Sequence, residues 1–373
     1  MPSIAIDARM LNASGIGVYL KHILPALCLE FKVQVMGNEQ EIEQFEWAKQ
    51  VSVIPLNAPI YSVKEQWKLY QKVPACDLFW SPHYNIPLLP IKAKKRVVTI
   101  HDTFHLAYKH TLNFTQKTYA SLFLNAAVRM ADQVLTVSRF SEQEIIKYTR
   151  CSPEKLSVIY NGVDRTCFTE GISLSENADL RQELPNLPEK YILFVGNVKP
   201  HKNLITLLRA YSSLSLCLQQ EYHLVIVGQK DGFLTPDQEI FHVLEKQPQL
   251  KKFVHFTGFV PDKLLPVLYN CASLSVFPSL YEGFGMPPLE AMACGCPVVA
   301  ARSASIPEVC ADAVLYFNPL QASELTIQME RVLQNVELQM ALAEKGREQC
   351  AKFSWEAAAS QHVRIFKELV TSP

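Results

Sequence analysis

Tyr281-Glu282-Gly283-Phe284-Gly285-Met286-Pro287-Pro288-Leu289-Glu290-Ala291-Met292-Ala293-Cys294-Gly295 follows an apolar run, Leu274-Ser275-Val276-Phe277, that reads as a buried strand. Gly283 and Gly285 permit a tight turn and a close approach of backbone to a ligand. Pro287 and Pro288 suit a first helical turn, where backbone N–H groups have no intrahelical partner, and Gly295 suits the end of that helix. The spacing predicts strand, turn and helix in succession, the unit from which parallel sheets are built. It also predicts an anion site, because a helix N-terminus presents amides and the positive end of its dipole. Glu282 precedes the turn and Glu290 lies in the helix, so the two carboxylates reach one ligand from different sides. Carboxylates accept paired hydrogen bonds from a diol, which suits the hydroxyls of a sugar or a ribose.

The same alternation continues along the chain. Residues 3–7 read as a buried strand followed by a turn at Ser14-Gly15-Ile16-Gly17. Ile16, Tyr19, Leu20, Ile23, Leu24 and Leu27 then recur at helical spacing. Residues 33–36, 78–80, 96–100 and 133–137 are further strands of a first series; 191–195, 223–227, 254–256 and 297–300 join 274–277 in a second. Residues 354–369 read as a helix with Ala357, Ala358, Val363, Phe366 and Leu369 apolar. The expected fold class is α/β with two domains, 1–168 and 190–353, joined by a polar, proline-containing linker at 169–189. The helix within 354–373 is expected to rejoin the first domain. Two parallel sheets predict a ligand cleft between the domains.

Composition narrows the function. The 373 residues carry 36 basic and 36 acidic side chains, so no global positive field favours nucleic acid. Half of the chain is hydrophobic (49%) and 19% is charged, the profile of a globular protein. Residues 1–7 lack the basic-then-apolar pattern of a secretory signal, and no apolar run approaches the roughly 20 residues that span a bilayer. A soluble, cytoplasmic protein is expected. The ten cysteines are scattered without a CxxC, and Cys294-Gly295-Cys296 has no second pair nearby, so neither a metal cluster nor a cofactor is expected.

Gly196-Asn197-Val198-Lys199-Pro200-His201-Lys202-Asn203 directly follows the strand at 191–195. A glycine turn opening a helix, with a lysine in it, is a phosphate cradle in physical terms. With this stretch in place, the segment from Glu282 to Val299 resembles the retaining GT-B glycosyltransferases of family 4, whose hallmark is E-x7-E in the context E-G-F-G-x-P-x-x-E-A-x-A-x-G-x-P-V-V. The resemblance implies two Rossmann-like domains with parallel sheets facing a central cleft. It implies a metal-independent hexosyltransferase of surface polysaccharide or glycolipid synthesis, moving sugar from a nucleotide donor to a saccharide or polyprenyl-linked acceptor with retention. It further implies that Glu282 contacts the donor sugar, that the Gly283-Phe284-Gly285 backbone holds sugar and phosphate, and that Glu290 holds the ribose. Lys202 matches the family lysine that neutralises the leaving diphosphate. His201 stands where arginine is common, and Asn197 where some relatives carry a second arginine.

Asp7-Ala8-Arg9 with Gly15-Ile16-Gly17 is similar to the family's first loop, which implies that the amides of Gly15 and Gly17 face the donor diphosphate or the acceptor. A dinucleotide fingerprint fails here, since G-x-G-x-x-G would need glycine at Leu20. In similar enzymes the histidine at the position of His101 reaches the donor sugar; Asp102 either fixes its tautomer or caps the next helix. His83 is a second candidate, on the acceptor side. The stretches 137–141 and 160–164 also match the family and are assigned positioning roles. The overall pattern is most similar to mannosyltransferase-like members, so GDP-mannose is the favoured donor, with UDP- and dTDP-sugars as alternatives and the base read near Gly258-Phe259-Val260. A nucleotide-sugar-binding protein without transfer activity and a sugar-nucleotide epimerase are the rival readings. The basic run 92–96 and the segment 61–73, with Lys64, Trp67, Lys68, Tyr70 and Lys72, read either as a peripheral membrane contact or as an ordinary solvated face.

Overall fold

The computed structural model describes residues 1–109, 112–171, 182–228 and 238–372. Residues Met1–Gly162, with Ser354 onward, form one compact unit; Val163–Phe353 form a second. Residues 163–168, placed with the first domain on sequence, cluster with the second unit, as do 169–171 and 182–189 of the expected linker; its residues 172–181 lie outside the described residues.

The first unit is built on a seven-stranded parallel sheet: β1 (Ser3–Asp7), β2 (Lys32–Gly37), β3 (Ser52–Pro55), β4 (Cys76–Ser81), β5 (Ala93–Thr99), β6 (Gln133–Thr136) and β7 (Leu156–Val158), in the order β3-β2-β1-β4-β5-β6-β7. The second has six parallel strands: β8 (Tyr191–Val195), β9 (His223–Val227), β10 (Val254–Gly258), β11 (Leu274–Phe277), β12 (Val298–Ala301) and β13 (Leu315–Phe317), in the order β10-β9-β8-β11-β12-β13. Central strands are apolar on both faces, as a sheet covered on both sides requires: Ile4, Ala5 and Ile6, like Ile192, Leu193 and Phe194, have no exposed surface. In each sheet the strand order reverses beside the first strand, between β1 and β4 and between β8 and β11. The crevice outside the carboxyl ends at such a switch point is where open α/β sheets bind ligands.

Two local features differ from the sequence expectation. Ser14–Gly17 is not a free turn but the first turn of the helix Ser14–Glu30. Gly17 is needed there because a Cβ would lie 2.4 Å from the Leu11 carbonyl oxygen of the preceding loop. The helix Trp355–Thr371 buries Trp355, Ala358, Ala359, His362, Ile365 and Phe366 in the first unit, whereas Ala357 is exposed and Val363 and Leu369 are only half-buried. Its start lies against Gly162, where a Cβ would sit 2.1 Å from the Trp355 nitrogen.

His362 closes a chain of hydrogen bonds that runs through the first unit. Trp80 Nε1 donates to Thr99 Oγ1 (3.0 Å), Thr99 meets Tyr19 Oη (3.2 Å), Tyr19 Oη meets His362 Nε2 (2.5 Å), and His362 Nδ1 meets the Ala358 carbonyl (2.7 Å). The indole can only donate and the carbonyl can only accept, so Thr99 accepts from Trp80 and His362 carries a proton on Nδ1. Burial pushes its pKa down to about 4, so near neutral pH the ring is uncharged and its Nε2 accepts from Tyr19 Oη. None of the ten cysteines is in a disulfide, and no described helix is long and apolar enough to cross a membrane.

Candidate active site

In the second unit, β11 ends at Phe277 and the helix Met286–Ala293 begins after Gly285. Gly285 has φ +103°, a left-handed conformation that requires glycine, and a Cβ there would also have to displace Ile306 Cδ1, 2.6 Å away. No side chain caps the helix start, and because Pro287 and Pro288 carry no N–H, what it offers an anion is chiefly the positive end of the helix dipole. At the other end Gly295 is left-handed (φ +69°); its N–H bonds the Met292 carbonyl while Cys296 N–H bonds that of Ala291, a Schellman stop. The loop between is held from below by Ser305, fully buried, whose hydroxyl lies 3.0 Å from the Glu282 carbonyl and 2.8 Å from that of Phe284.

Lys202 arrives from the end of β8. Pro200–Lys202 form one 3-10 turn, and left-handed Asn203 (φ +57°) donates to the carbonyls of Pro278 and Pro319. Leu280 N–H donates to the His201 carbonyl (2.8 Å), so the two loops are tied backbone to backbone. The result brings Lys202 Nζ to 2.6 Å from Glu282 Oε1, with both side chains partly exposed. Asn197 lies in the same loop, and its side chain makes no hydrogen bond with a described residue. Gly196, Gly228 and Gly258, all at positive φ, end the adjacent strands β8, β9 and β10, and a Cβ on Gly228 would be 2.2 Å from the Gly196 carbonyl oxygen. The glycines thus leave a backbone-lined floor at the carboxyl ends of the strands.

Glu290 does not join the Lys202–Glu282 pair. Its Oε2 accepts from Tyr269 Oη at 3.1 Å, Tyr269 being fully buried on the helix Leu265–Cys271. Burial pushes the Glu290 carboxyl up to about 7, against the Tyr269 hydrogen bond and with help from the Asp262 charge. The carboxyl is then shared between its two protonation states near neutral pH, while the charged form is the one that accepts from a diol. Among the described residues no three His, Cys, Asp or Glu side chains converge as metal ligands.

Gly15, Gly17 and His101 belong to the first unit. His101 Nε2 donates to the Pro82 carbonyl at 2.9 Å, and its ring stands edge-on to Tyr19, centroids 5.0 Å apart. Burial holds its pKa below the ordinary histidine value, opposed by the Pro82 bond and the Asp102 charge. Asp102 accepts from Phe104 N–H (2.9 Å), so of its two expected roles it takes the local backbone one. Ser138 caps the helix Arg139–Thr149 by accepting from Ser141 N–H.

Tyr269, Ser305, Asn203 and Gly228 were not picked out on sequence. Ser305 stands two residues before a proline at a helix start, which reads as an ordinary cap, yet its hydroxyl turns away to the Glu282 loop. Gly228 could have been found, as a glycine directly after a buried strand and in step with Gly196.

A parallel sheet in each unit sets the fold class, and likeness to known proteins gives the family. Residues 175–349 match the profile "Glycosyl transferases group 1" and residues 13–166 match "Glycosyltransferase Family 4". The O-antigen chain mannosyltransferase B of Escherichia coli is 30% identical over 283 residues, 75% of this chain and 72% of that one. The chain is 32% identical over 282 residues to the serotype-specific mannosyltransferase WbdA of E. coli, of whose length that match spans 34%. HepE of Anabaena, solved with UDP and glucose, has the same fold: TM-score 0.78 at 21% identity, covering 98% of this chain and 100% of that one. The chain belongs to glycosyltransferase family 4.

Proposed function

We propose that the protein transfers mannose from GDP-mannose to a saccharide or lipid-linked saccharide, with retention at the anomeric carbon and without a metal ion. The observation that carries the reading is the Lys202–Glu282 pair, 2.6 Å apart beside the helix start at Met286. Lys202 and the positive end of the helix dipole offset the charge that develops on the leaving diphosphate, in the manner of a preorganised electrostatic site. Glu282 takes the hexose hydroxyls and Glu290 the ribose. The bond from the anomeric carbon to the phosphate oxygen breaks, the acceptor oxygen bonds the same face of that carbon, and the acceptor proton passes to the departing phosphate. His101, neutral and anchored on Pro82, is assigned to the hexose, and the helix start at Gly15 and Gly17 to the diphosphate or the acceptor. Mannose as the sugar, and polysaccharide synthesis as the setting, are supported by the names of the E. coli relatives. GDP should raise the melting temperature and UDP should not, and NMR of the product from GDP-mannose should show the donor's anomeric configuration kept. Strong stabilisation by UDP alone ends the mannose proposal; an inverted product ends the retaining one.

A lipid-linked acceptor calls for docking at a membrane surface, and the helix Val63–Lys72 supports that part of the proposal. Val63, Trp67 and Tyr70 share one face and are 89%, 56% and 44% exposed, flanked by exposed Lys64 and Lys72. Aromatic and basic residues on an exposed face suit the interface of an anionic bilayer. The protein should co-sediment with phosphatidylglycerol vesicles and not with phosphatidylcholine ones, and Trp67→Ala should weaken this several-fold. Equal recovery of the variant removes Trp67 from the docking face.

A further inference from the structure

The switch point of the first sheet, between β1 and β4, carries a second polar pocket. It is small, about 10 Å³, room for one oxygen-sized group. Asp7 at the end of β1 and Ser81 at the end of β4 line it, with Arg9, Glu65, His83 and Asn85. Arg9 binds Asp7 through Nε (2.8 Å) and Nη2 (2.5 Å) and reaches Glu65 Oε1 with Nη2 (2.5 Å). Glu65 has no exposed surface, and its Oε2 accepts from Tyr61 N–H at 3.0 Å. Two donors in the lining are left over. Ser81 is 2% exposed and its hydroxyl has no hydrogen bond. Asn85 is 3% exposed and accepts from Tyr119 Oη, but its Nδ2 makes no hydrogen bond, although it lies close enough to Glu65 to favour that carboxylate's charged form.

The rim is aromatic. Tyr61, 48% exposed, is held at φ +67°, a region that bulky side chains rarely occupy. Its backbone is fixed by Glu65 and its hydroxyl lies 3.3 Å from His83 Nε2. Its ring stands 5.6 Å from Tyr119 and 6.3 Å from Tyr84. The next residue but one before His83 is Ser81, and Pro82 between them is the anchor of His101, so the pocket shares a loop with the candidate catalytic histidine.

Donors beside carboxylate acceptors, with the exposed Tyr61 ring at the mouth, match a sugar: one hydroxyl donates and accepts inside while the C–H face of the ring rests on an aromatic. A single trapped water would meet the same polar atoms, but it gives no reason for an exposed tyrosine held in the left-handed region above them. We propose that this pocket takes one hydroxyl of a pyranose acceptor, with the sugar ring lying against Tyr61. The proposal rests on the glycosyl-transfer reading and names where its acceptor is held.

The probe is methyl α-D-mannopyranoside, with its four monodeoxy analogues, titrated into the full chain by saturation-transfer NMR. The wild type should bind the parent, and one analogue should bind roughly 5–10-fold more weakly, the loss of one hydrogen bond. Ser81→Ala should weaken the parent by a similar factor and leave that one analogue unchanged. Since the Ser81 hydroxyl bonds nothing in the protein, this variant should fold as the wild type does. Ser81→Thr, which fills the pocket with a methyl group, should abolish binding of every analogue that inserts a hydroxyl. Wild-type affinity in both variants, the result for a site that holds only water, overturns the proposal, as does the absence of any saturation transfer from the wild type to the glycoside. Stabilisation of the wild type by nucleoside diphosphate, read in parallel, separates a failure here from a failure of the donor reading.

Discussion

Lys202→Ala lowers the transfer rate by roughly 10²-fold or more, the usual consequence of removing one preorganised charge from a site where charge develops. The geometry adds a second effect. Lys202 Nζ lies 2.6 Å from Glu282 Oε1, so the lysine offsets an existing carboxylate as well as an incoming diphosphate. Without it, Glu282 faces the phosphates uncompensated, and binding of nucleoside diphosphate falls together with the rate. A double variant, Lys202→Ala with Glu282→Gln, removes that repulsion. It should recover part of the lost diphosphate affinity and none of the lost rate, because neither the cation nor the hexose contact returns. Calorimetric binding of nucleoside diphosphate and single-turnover rates for the two variants test this together. Wild-type turnover in Lys202→Ala would mean that the leaving group is stabilised elsewhere.

Acid removes a large stabilising contribution from the first unit, and His362→Phe removes the part that His362 supplies. His362 is neutral when folded, with a pKa of about 4, against about 6.5 for an unperturbed histidine. Between these values the unfolded chain takes up a proton that the folded chain refuses. The stabilisation is therefore complete above about pH 6.5 and is lost as pH falls toward 4, by about 3 kcal/mol. Phenylalanine in its place leaves the Tyr19 hydroxyl without its acceptor, at a cost of about 1–3 kcal/mol at neutral pH. The variant should thus be less stable than the wild type at pH 7.5, with the gap closing as pH falls toward 4. All four tryptophans, Trp47, Trp67, Trp80 and Trp355, lie in the first unit, so urea unfolding followed by tryptophan fluorescence reports on that unit alone. A gap independent of pH would show that His362 is not the group responsible.

The central strands were legible because a strand buried on both faces is a continuous apolar run. Three strands were not expected: β3, β7 and β13. Each is an edge strand of three or four residues with one side open; β3 and β7 are interrupted by serine, whereas β13 lies in the apolar run 313–317, which the expected series leaves unassigned. The helix from Trp355 was legible, but its buried face was not. That face contains His362, a residue that reads as polar until its two bonds, to Tyr19 and Ala358, are known. The loop chemistry at Glu282 followed from glycine and proline positions alone. That Lys202 sits against it, 80 residues away in sequence, could come only from the family pattern, since nothing local fixes such a pairing. Tyr269 was silent for the same reason: an aromatic at helical spacing is usually core, and only the fold shows the carboxyl that its hydroxyl meets.

The chain leaves the first unit after Gly162 and re-enters it at Ser354. Order of synthesis and order of completion are therefore inverted. While the second unit is being made, roughly 10–40 s at about 5–20 residues per second, the helix Ser14–Glu30 lacks the helix that covers it. Throughout that interval Tyr19 has no acceptor and Phe31 and Trp80 lack the Phe366 ring that packs on them. The nascent chain thus carries an apolar, half-built surface that only a chaperone or its own later segment can shield. A stop codon or frameshift anywhere between Gly162 and Ser354 spares every residue of the first sheet and still leaves it unfinished.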